Sequence, residues 1–167
     1  MITPRLTLAF LCAVFLLPGM AATAQSAISP EDRVGIQAAY DGINSAFVQH
    51  DLGRFMAYFA PDYVSVDQSG EKRCKDQERH YYQDLLGRIK SMQSRFSIQR
   101  LTPTPSGTLV EVAMHSDGIG EKRILFAKLH ASFTNDVAVR DLWVDTPEGW
   151  RLKSRQTLSN QTHIHPG

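Results

Sequence analysis

The spacing of apolar residues along this chain changes once, near residue 90, from a helical period to a strand period. Before that point, apolar residues recur every three or four positions, as on one face of a helix: Ile36, Tyr40, Ile43 and Phe47. After it, apolar and polar residues alternate over long stretches, which is typical of strands. Helices followed by a run of strands predict an α+β domain, in which a curved sheet buries one face against the helices.

Capping and turn residues mark the predicted elements. Ser29 and Pro30 begin the first helix, because a Ser cap and a Pro in the first turn are both favoured there. Asp51 caps a short second helix that Pro61 terminates, and a third helix is predicted over 76–90. After the helices, the sequence predicts five strands: 94–101, 108–116, 123–133, 137–145 and 150–160.

The N-terminal segment has the pattern of a secretory signal peptide. An apolar run follows Arg5 and is broken by Pro18-Gly19, and Ala22-Thr23-Ala24 supplies a small-x-small cleavage pattern. The run is too short for a comfortable membrane span, so we expect an exported protein, either periplasmic or secreted. The predicted organisation is a signal peptide at 1–24, a single domain at 25–162 and a loose tail at 163–167.

Charge in the mature chain is balanced. Arg5 is the only charged residue before position 25, so 17 Lys and Arg then face 17 Asp and Glu. Nucleic acids and anionic membranes bind surfaces with a surplus of Lys and Arg, so neither is expected as a partner. Cys74 remains as an unpaired cysteine, which we expect to be buried and inert. His163-x-His165 lacks further ligands at a useful spacing, so we predict no metal and no cofactor.

Two turns set the register of the last three predicted strands. Asn135-Asp136 suits a two-residue turn, and Pro147-Glu148 centres the next one. Counting back from each turn predicts three cross-strand pairs: His130 with Asp141, Trp143 with Leu152, and Asp141 with Ser154. The first pair would bring an imidazole and a carboxylate together, although a slip of one residue would separate them completely.

Alternation along these strands divides their side chains between two faces. His130 and Asp141 share one face with residues that we predict to bind a small molecule: Trp143, Trp150, Ser154 and Gln156. Asp141 would orient the imidazole for acid–base catalysis; the alternative is a cross-strand ion pair on a half-exposed sheet. The opposite face carries Leu125, Ala127 and Leu129, and on the last strand Arg151, Lys153 and Arg155. The pattern does not decide which face meets the helices.

Another carboxylate ends the strand that is predicted within FAPDYVSVDQSG, residues 59–70. Tyr63, Ser65 and Asp67 share one face of that strand. Because Asp67 precedes Gln68-Ser69-Gly70, its side chain either starts a turn or points into a pocket as a base.

Together these stretches resemble the nuclear transport factor 2-like superfamily, and most closely its SnoaL-like and ketosteroid isomerase-like branches. The resemblance covers about residues 30–160 and rests on FAPDYVSVDQSG and on VRDLWVDTPEGWRLKSRQT. It implies a cone-shaped, curved, mainly antiparallel sheet wrapped around three N-terminal helices, a pocket at the mouth of the cone, and a homodimer formed through the sheet. The fold hosts isomerases, dehydratases, cyclases and non-catalytic binding modules, so it does not imply one activity.

The resemblance implies that Asp67 stands where the isomerases have their general base. The tyrosine that those enzymes use as a hydrogen-bond acid falls on Ile43 here, with Tyr40 one turn earlier. No carboxylic acid stands where their second acid would be, near His130. The cyclase and dehydratase branches imply instead that His130 and Asp141 act as an acid–base pair.

Three functions follow from these patterns. The first is cofactor-independent isomerase, lyase or cyclase chemistry on a small hydrophobic molecule. Its predicted catalytic residues are Asp67, His130 and Asp141, and Tyr40 and Tyr63 are predicted to bind the ligand. The second is a non-catalytic ligand-binding or dimeric association module, which the missing tyrosine at Ile43 favours. The third is a toxin-neutralising or assembly partner that uses the face containing Leu125, Ala127 and Leu129.

Overall fold

The computed structural model describes residues 28–124 and 127–166; the predicted signal peptide 1–24 and Leu125 lie outside these ranges. Within them are three helices: α1 (Pro30–Val48), α2 (Leu52–Ala57) and α3 (Lys75–Leu86). The same residues form six strands: β1 (Phe59–Val66), β2 (Lys72–Cys74), β3 (Ile89–Thr104), β4 (Gly107–Ile124), β5 (Ala127–Val144) and β6 (Arg151–Pro166).

The helices begin where the capping residues predict. Ser29 Oγ accepts a hydrogen bond from the Asp32 amide at 3.0 Å, and the side chain of Asp51 accepts one from the amide of Arg54. The predicted apolar stripe of α1 is buried: Ile36, Ala39, Tyr40, Ile43 and Ala46. α3 is shorter than predicted and ends at Leu86, because the chain enters β3 almost at once.

The strands form one curved, open sheet in the order β2-β1-β6-β5-β4-β3. Neighbouring strands are antiparallel except β1 and β6, which run parallel. The helices pack against one face and enclose a core with large buried side chains: Tyr40, Phe59, Tyr63, Trp143 and Leu152. The predicted α+β class, with a mainly antiparallel sheet and N-terminal helices, is therefore confirmed.

The predicted turn at Asn135-Asp136 is wrong, because β5 continues through it. Both residues are bonded to neighbouring strands: Asp136 Oδ1 lies 2.7 Å from His115 Nδ1, and Asn135 Oδ1 accepts from Thr162 Oγ1 at 3.1 Å. β4 likewise continues through the predicted loop after residue 116. Gly118 serves close packing there, since a Cβ would lie 2.7 Å from the Phe133 ring.

Residues 163–166, which the sequence assigns to a loose tail, belong to the sheet. β6 continues to Pro166, and His163 and His165 pair with Thr134 and Ser132 of β5. The composition of QTHIHPG hides this strand, because strand propensity depends on pairing with neighbours more than on intrinsic preference.

Two observations concern the surface of the molecule. Cys74 is exposed at the N-cap of α3, contrary to the expectation that it is buried, because it ends the short edge strand β2. Across residues 28–124 and 127–166, no helix has the length and apolar character that crossing a membrane requires.

Candidate functional site

A cavity of about 430 Å³ lies between the helices and the inner face of the sheet. Its walls are mainly aromatic and aliphatic, with Phe47, Phe55, Tyr81, Tyr82, Phe96 and Val139 among them. Polar side chains also line it, and Ser65, Asp67, Arg73, Glu78 and Arg155 are among them. An apolar cavity with a few convergent polar groups is the usual form of a small-molecule site.

Glu78 is a buried carboxylate on the cavity wall, with 2 % of its surface exposed. Its Oε2 accepts hydrogen bonds from Ser65 Oγ at 2.8 Å and from Arg73 Nε at 3.0 Å. None of the described residues donates to its Oε1. The helix α3 positions this group, since Glu78 and Tyr82 are four residues apart and share one helix face. The described residues thus use one of the two carboxylate oxygens of Glu78.

Arg73 links Glu78 to the mouth of the cavity. Its Nη1 lies 3.6 Å from Asp67 Oδ2 and 3.7 Å from Glu71 Oε1, and its guanidinium carbon lies 4.9 Å from the ring centroid of Tyr81. Burial alone would lower the pKa of Arg73, but the hydrogen bond and charge of Glu78 raise it. Arg73 therefore stays charged and links Glu78 on the cavity wall to Asp67 and Glu71 at the turn between β1 and β2.

Asp67 lines the mouth of the cavity and also starts that turn. Its Oδ1 accepts hydrogen bonds from Ser69 N at 2.8 Å, from Ser69 Oγ at 2.6 Å and from Glu71 N at 3.0 Å. The bond from Ser69 lowers the pKa of Asp67, which makes the carboxylate a weaker base. The geometry is that of a turn-starting aspartate, and the role of general base that the resemblance implies for Asp67 stays a prediction.

The register of β6 shifts by one residue near its start. The predicted pairing of Trp143 with Leu152 is confirmed. Lys153 is then the extra residue of a β-bulge, so the predicted pairing of Asp141 with Ser154 is wrong. A bulge reverses the alternation of faces, and residues beyond it point the opposite way from the prediction.

As a result, Asp141 faces Arg155, which the sequence placed on the other face of the sheet. Arg155 Nε donates to Asp141 Oδ1 at 2.8 Å, and Arg155 Nη2 donates to Oδ2 at 2.7 Å. Tyr40 OH donates to the same Oδ2 at 2.8 Å, and Trp143 Nε1 donates to Tyr40 OH at 2.8 Å. Tyr40, Asp141 and Trp143 are fully buried. Both oxygens of Asp141 are therefore occupied by protein donors.

Burial and charge fix the protonation of this network. Burial raises the pKa of Tyr40 well above its ordinary value, and the charge of Asp141 raises it further. For Arg155, burial alone would lower the pKa, but the charge of Asp141 outweighs it and the pKa is raised. Arg155 is consequently a permanent cation, and it is the member of this network that reaches the cavity wall.

The predicted pair of His130 and Asp141 does not form. Without a turn at 135–136, both residues lie on β5, where alternation places them on opposite faces. His130 pairs with Glu121 of β4, its Nε2 lies 3.9 Å from Glu121 Oε2, and 43 % of its side chain is exposed. The structure therefore does not bring this imidazole to the cavity.

The predicted ligand-binding residues lie at different depths. Tyr40 and Trp143 are core residues that the cavity does not reach, and Ser154 and Gln156 are half-buried and exposed, respectively. Trp150 is half-buried against α1, where a Cβ on Gly35 would come within 2.4 Å of its Nε1. Tyr63 is also a core residue outside the cavity lining, and its hydroxyl has no hydrogen-bond partner among the described residues.

Sequence reasoning missed Glu78, Tyr82 and Arg155 as site residues. Glu78 had a usable signal, because it is a charged residue at helical spacing on the apolar face of α3 that carries Tyr82 and Leu85. Arg155 had none, since a β-bulge leaves no mark in the alternation of a single sequence. No group of three or more His, Cys, Asp or Glu side chains within 28–124 and 127–166 could hold a metal ion.

No family model and no curated protein matches this chain. Several solved structures match it in architecture. A hexachlorocyclohexane dehydrochlorinase aligns at 10% identity over 82% of this chain and 90% of its own, with a TM-score of 0.65. A protein of unknown function with a cystatin-like fold from Nostoc punctiforme aligns at 15% identity over 78% and 92%, with a TM-score of 0.59.

A third structure is a protein of the nuclear transport factor 2-like family from Streptomyces avermitilis. It aligns at 14% identity over 77% of this chain and 97% of its own, with a TM-score of 0.56. Identities this low establish architecture and leave activity undetermined. The architecture is nevertheless the same in all three, and the chain has the cystatin-like, nuclear transport factor 2-like fold.

Proposed function

We propose that this protein binds a small, mainly apolar organic molecule in its cavity and moves a proton on it without a cofactor. The observation that carries the proposal is Glu78, a carboxylate with one fixed and one unbonded oxygen on the wall of an apolar cavity. General bases need a ligand within hydrogen-bond reach and a fixed orientation. Ser65 and Arg73 supply the orientation here.

The surroundings of Glu78 suit removal of a proton from carbon. Aromatic side chains line the cavity and would shield a bound molecule from water, which strengthens the electrostatic effect of nearby groups. Arg155 supplies a permanent positive charge on the same cavity, where negative charge would develop on the substrate. The dehydrochlorinase of the same fold shows that such an architecture can host an elimination, but its substrate is its own.

Deuterium exchange tests the proposal without knowledge of the complete reaction. The protein is incubated in D₂O with enolisable ketones of increasing size, including 2-acetylnaphthalene, and incorporation of deuterium next to the carbonyl is measured by mass spectrometry. We expect faster exchange with the protein than with buffer. In Glu78→Gln, exchange should fall at least about a hundredfold, because a positioned base contributes that much or more.

Asp67→Asn is the matched variant, since it removes the other carboxylate at the cavity and tests the base that the resemblance implies. Retention of exchange in Asp67→Asn and loss in Glu78→Gln supports Glu78. The opposite result assigns the base to Asp67 and rejects Glu78. Exchange no faster than in buffer for every ketone rejects the catalytic part of the proposal.

A second candidate function is ligand binding without chemistry. The observation that favours it is the ion pair between Arg73 and Glu78, which stabilises the carboxylate as a structural partner. In that case 2-acetylnaphthalene would stabilise the protein against thermal unfolding and be recovered without deuterium. The same two measurements on one sample therefore separate the candidates.

We also propose export and self-association, which rest on the sequence alone. Export predicts that the mature protein begins at Gln25 after expression in a secreting host, and N-terminal sequencing measures this directly. Association through the sheet predicts a homodimer, and sedimentation at micromolar concentration would show a monomer if this expectation is wrong.

A further inference from the structure

A row of neutral polar side chains crosses three strands on the wall of the cavity. Ser94 of β3 pairs with Ser116 of β4, and Ser116 pairs with Asn135 of β5. All three side chains line the cavity and are half-buried. Asn44 of α1 donates from Nδ2 to the carbonyl oxygen of Ser94 at 3.0 Å, which ties β3 to the helix at this position. Because side chains directly opposite on neighbouring strands lie about 5 Å apart, the three form one continuous strip, which we call the polar row.

The polar row has hydrogen-bond donors that the described residues do not use. The hydroxyls of Ser94 and Ser116 bond to each other at 2.9 Å, so one of their two hydrogens has no acceptor among the described residues. Asn135 Oδ1 accepts from Thr162 Oγ1 at 3.1 Å, whereas no described residue accepts from Asn135 Nδ2. The polar row therefore offers an amide N–H and a hydroxyl O–H to a molecule in the cavity.

Two residues further along the same strands, the wall of the cavity is apolar. Phe96, Met114 and Val137 pair with one another across β3, β4 and β5, and all three line the cavity. This part of the wall suits the aromatic or aliphatic body of a ligand, while the polar row suits a polar group at its end. The polar row contains no charged side chain, so it fits a neutral oxygen better than a carboxylate or a phosphate.

The polar row and Glu78 lie against different parts of the sheet. Ser65, which holds Glu78, is on β1, and β6 separates β1 from β5 in the strand order. Asn135 on β5 is the member of the polar row nearest to β1 in that order, and Ser94 on β3 is the farthest. A molecule whose reactive carbon contacts Glu78 would therefore meet the polar row with its opposite end.

We propose that the ligand of the cavity carries a second, neutral oxygen at the end remote from Glu78, and that the polar row donates hydrogen bonds to this oxygen. The ligand class is an apolar aromatic compound with an ether, hydroxyl or carbonyl oxygen remote from its acidic C–H bond. This inference rests on the proposed function, since an organic molecule must occupy the cavity. It adds recognition of a second functional group, which selects among molecules of similar shape.

Two ketones of matched shape test the polar row. 2-Acetyl-6-methoxynaphthalene and 2-acetyl-6-ethylnaphthalene share the acetyl group, but only the former has an acceptor oxygen at the opposite end. Their dissociation constants are measured by calorimetry or fluorescence, and deuterium exchange of both ketones is followed on the same samples. We expect the wild-type protein to bind the ether more tightly by about threefold or more, as one neutral hydrogen bond typically contributes.

Asn135→Asp keeps an oxygen that accepts from Thr162 and replaces the amide donor with an acceptor, so it should abolish the preference for the ether. Ser94→Ala/Ser116→Ala removes both hydroxyls and should reduce the preference. Ser97→Ala is the matched control, because Ser97 is exposed on the opposite face of β3 and its replacement should leave the preference unchanged. Thermal unfolding measures whether each variant keeps the stability of the wild type.

The outcomes separate this inference from the proposed function. Equal affinity of the wild type for both ketones, with exchange retained, overturns the inference and leaves the proposed function intact. A preference that persists undiminished in both Asn135→Asp and Ser94→Ala/Ser116→Ala has the same consequence. The expected preference without deuterium exchange supports the inference and overturns only the catalytic part of the proposed function, whereas absence of binding by both ketones overturns both.

Discussion

Asp141 and Glu78 are both buried carboxylates held by an arginine, yet the protein uses different numbers of their oxygens. Asp141 receives two hydrogen bonds from Arg155 and one from Tyr40, which occupy both oxygens. Glu78 receives its two hydrogen bonds on Oε2 alone. Asp141 lies behind the cavity wall and Glu78 lies on it. Asp141, the structural acid, and Glu78, the candidate base, therefore differ less in burial or charge than in their hydrogen bonds. Only Glu78 has a carboxylate oxygen to which no described residue donates, and only Glu78 lies on the cavity wall.

The largest effect is expected from Asp141→Asn. This change leaves the charge of Arg155 buried without its counterion, and breaking one side of a buried pair typically destabilises by about 3–5 kcal/mol. Urea denaturation monitored by tryptophan fluorescence measures the free energy of unfolding. The double variant Asp141→Asn/Arg155→Gln removes both charges and should recover at least half of the loss. A single variant as stable as the wild type would show that Asp141 is not the structural acid.

A smaller effect is expected from Tyr40→Phe. The hydroxyl of Tyr40 both donates to Asp141 and accepts from Trp143, so its removal leaves a buried indole N–H without a partner. The expected loss is about 2 kcal/mol in the free energy of unfolding. Tyr58→Phe is the comparison variant, because Tyr58 is a half-buried tyrosine whose hydroxyl packs against Gly42 of α1. An equal loss in both variants would show that the hydrogen bonds among Trp143, Tyr40 and Asp141 contribute nothing specific.

Glu78→Gln should change stability less than either core variant. Arg73 keeps two other carboxylates nearby, Asp67 at 3.6 Å and Glu71 at 3.7 Å, and they balance part of its charge when Glu78 is replaced. We expect a loss of about 1 kcal/mol or less together with the loss of proton transfer. Equal destabilisation by Glu78→Gln and Asp141→Asn would remove the distinction between the two carboxylates.

The smallest effect concerns His115 on the outer face of the sheet. Its imidazole lies between Asp136 and Asp117, with Arg95 opposite on β3, and the hydrogen bond to Asp136 raises its pKa above 6.5. A group whose pKa is raised in the folded state stabilises the protein fully at pH values below its unfolded pKa. This stabilisation is lost as the pH rises through the folded pKa. Melting temperature should therefore decline slightly over that window in the wild type.

Asp136→Asn should flatten this decline and return the pKa of His115 toward its ordinary value, as followed by the imidazole proton resonances. An unchanged titration in Asp136→Asn would show that Asp136 is not the group that holds the proton on His115. His115 and Asp136 are both exposed, so the change in stability from this pair gives the scale against which the larger losses in the buried variants are compared.

The architecture could be predicted because it depends on helix caps and on apolar periodicity. One wrongly placed turn does not change either pattern. Ser29 and Asp51 mark the starts of helices, and the apolar stripe of α1 is unambiguous. Alternation predicts the strands, although the turn predicted at Asn135-Asp136 does not form. Turn-forming residues and strand residues overlap in type, and cross-strand hydrogen bonds with His115 and Thr162 decide the outcome at this position.

The site could be predicted much less well. The predicted pair of His130 and Asp141 depends on a turn at Asn135-Asp136 that would place them on different strands. Because β5 continues through these residues, both lie on the same strand. Arg155 lies on the face opposite to the predicted one, because Lys153 is an extra residue in the pairing of β6 with β5. Glu78 was accessible in principle from its place on α3, but a charge on an amphipathic helix is ordinarily solvated, so its burial depends on the sheet that covers it.

The bulge at Lys153 also affects how this chain should be compared with relatives. Leu152 and Arg155 both point inward although two residues separate them, and a second register shift after Thr157 changes the phase again. In a relative without the bulge, the inward-facing residue that corresponds to Arg155 would come one position earlier in the sequence. A sequence alignment without a gap along β6 would then match a cavity residue of one protein with a surface residue of the other. Alignments of this region should be anchored on the three-dimensional position of Arg155 and its pairing with Asp141.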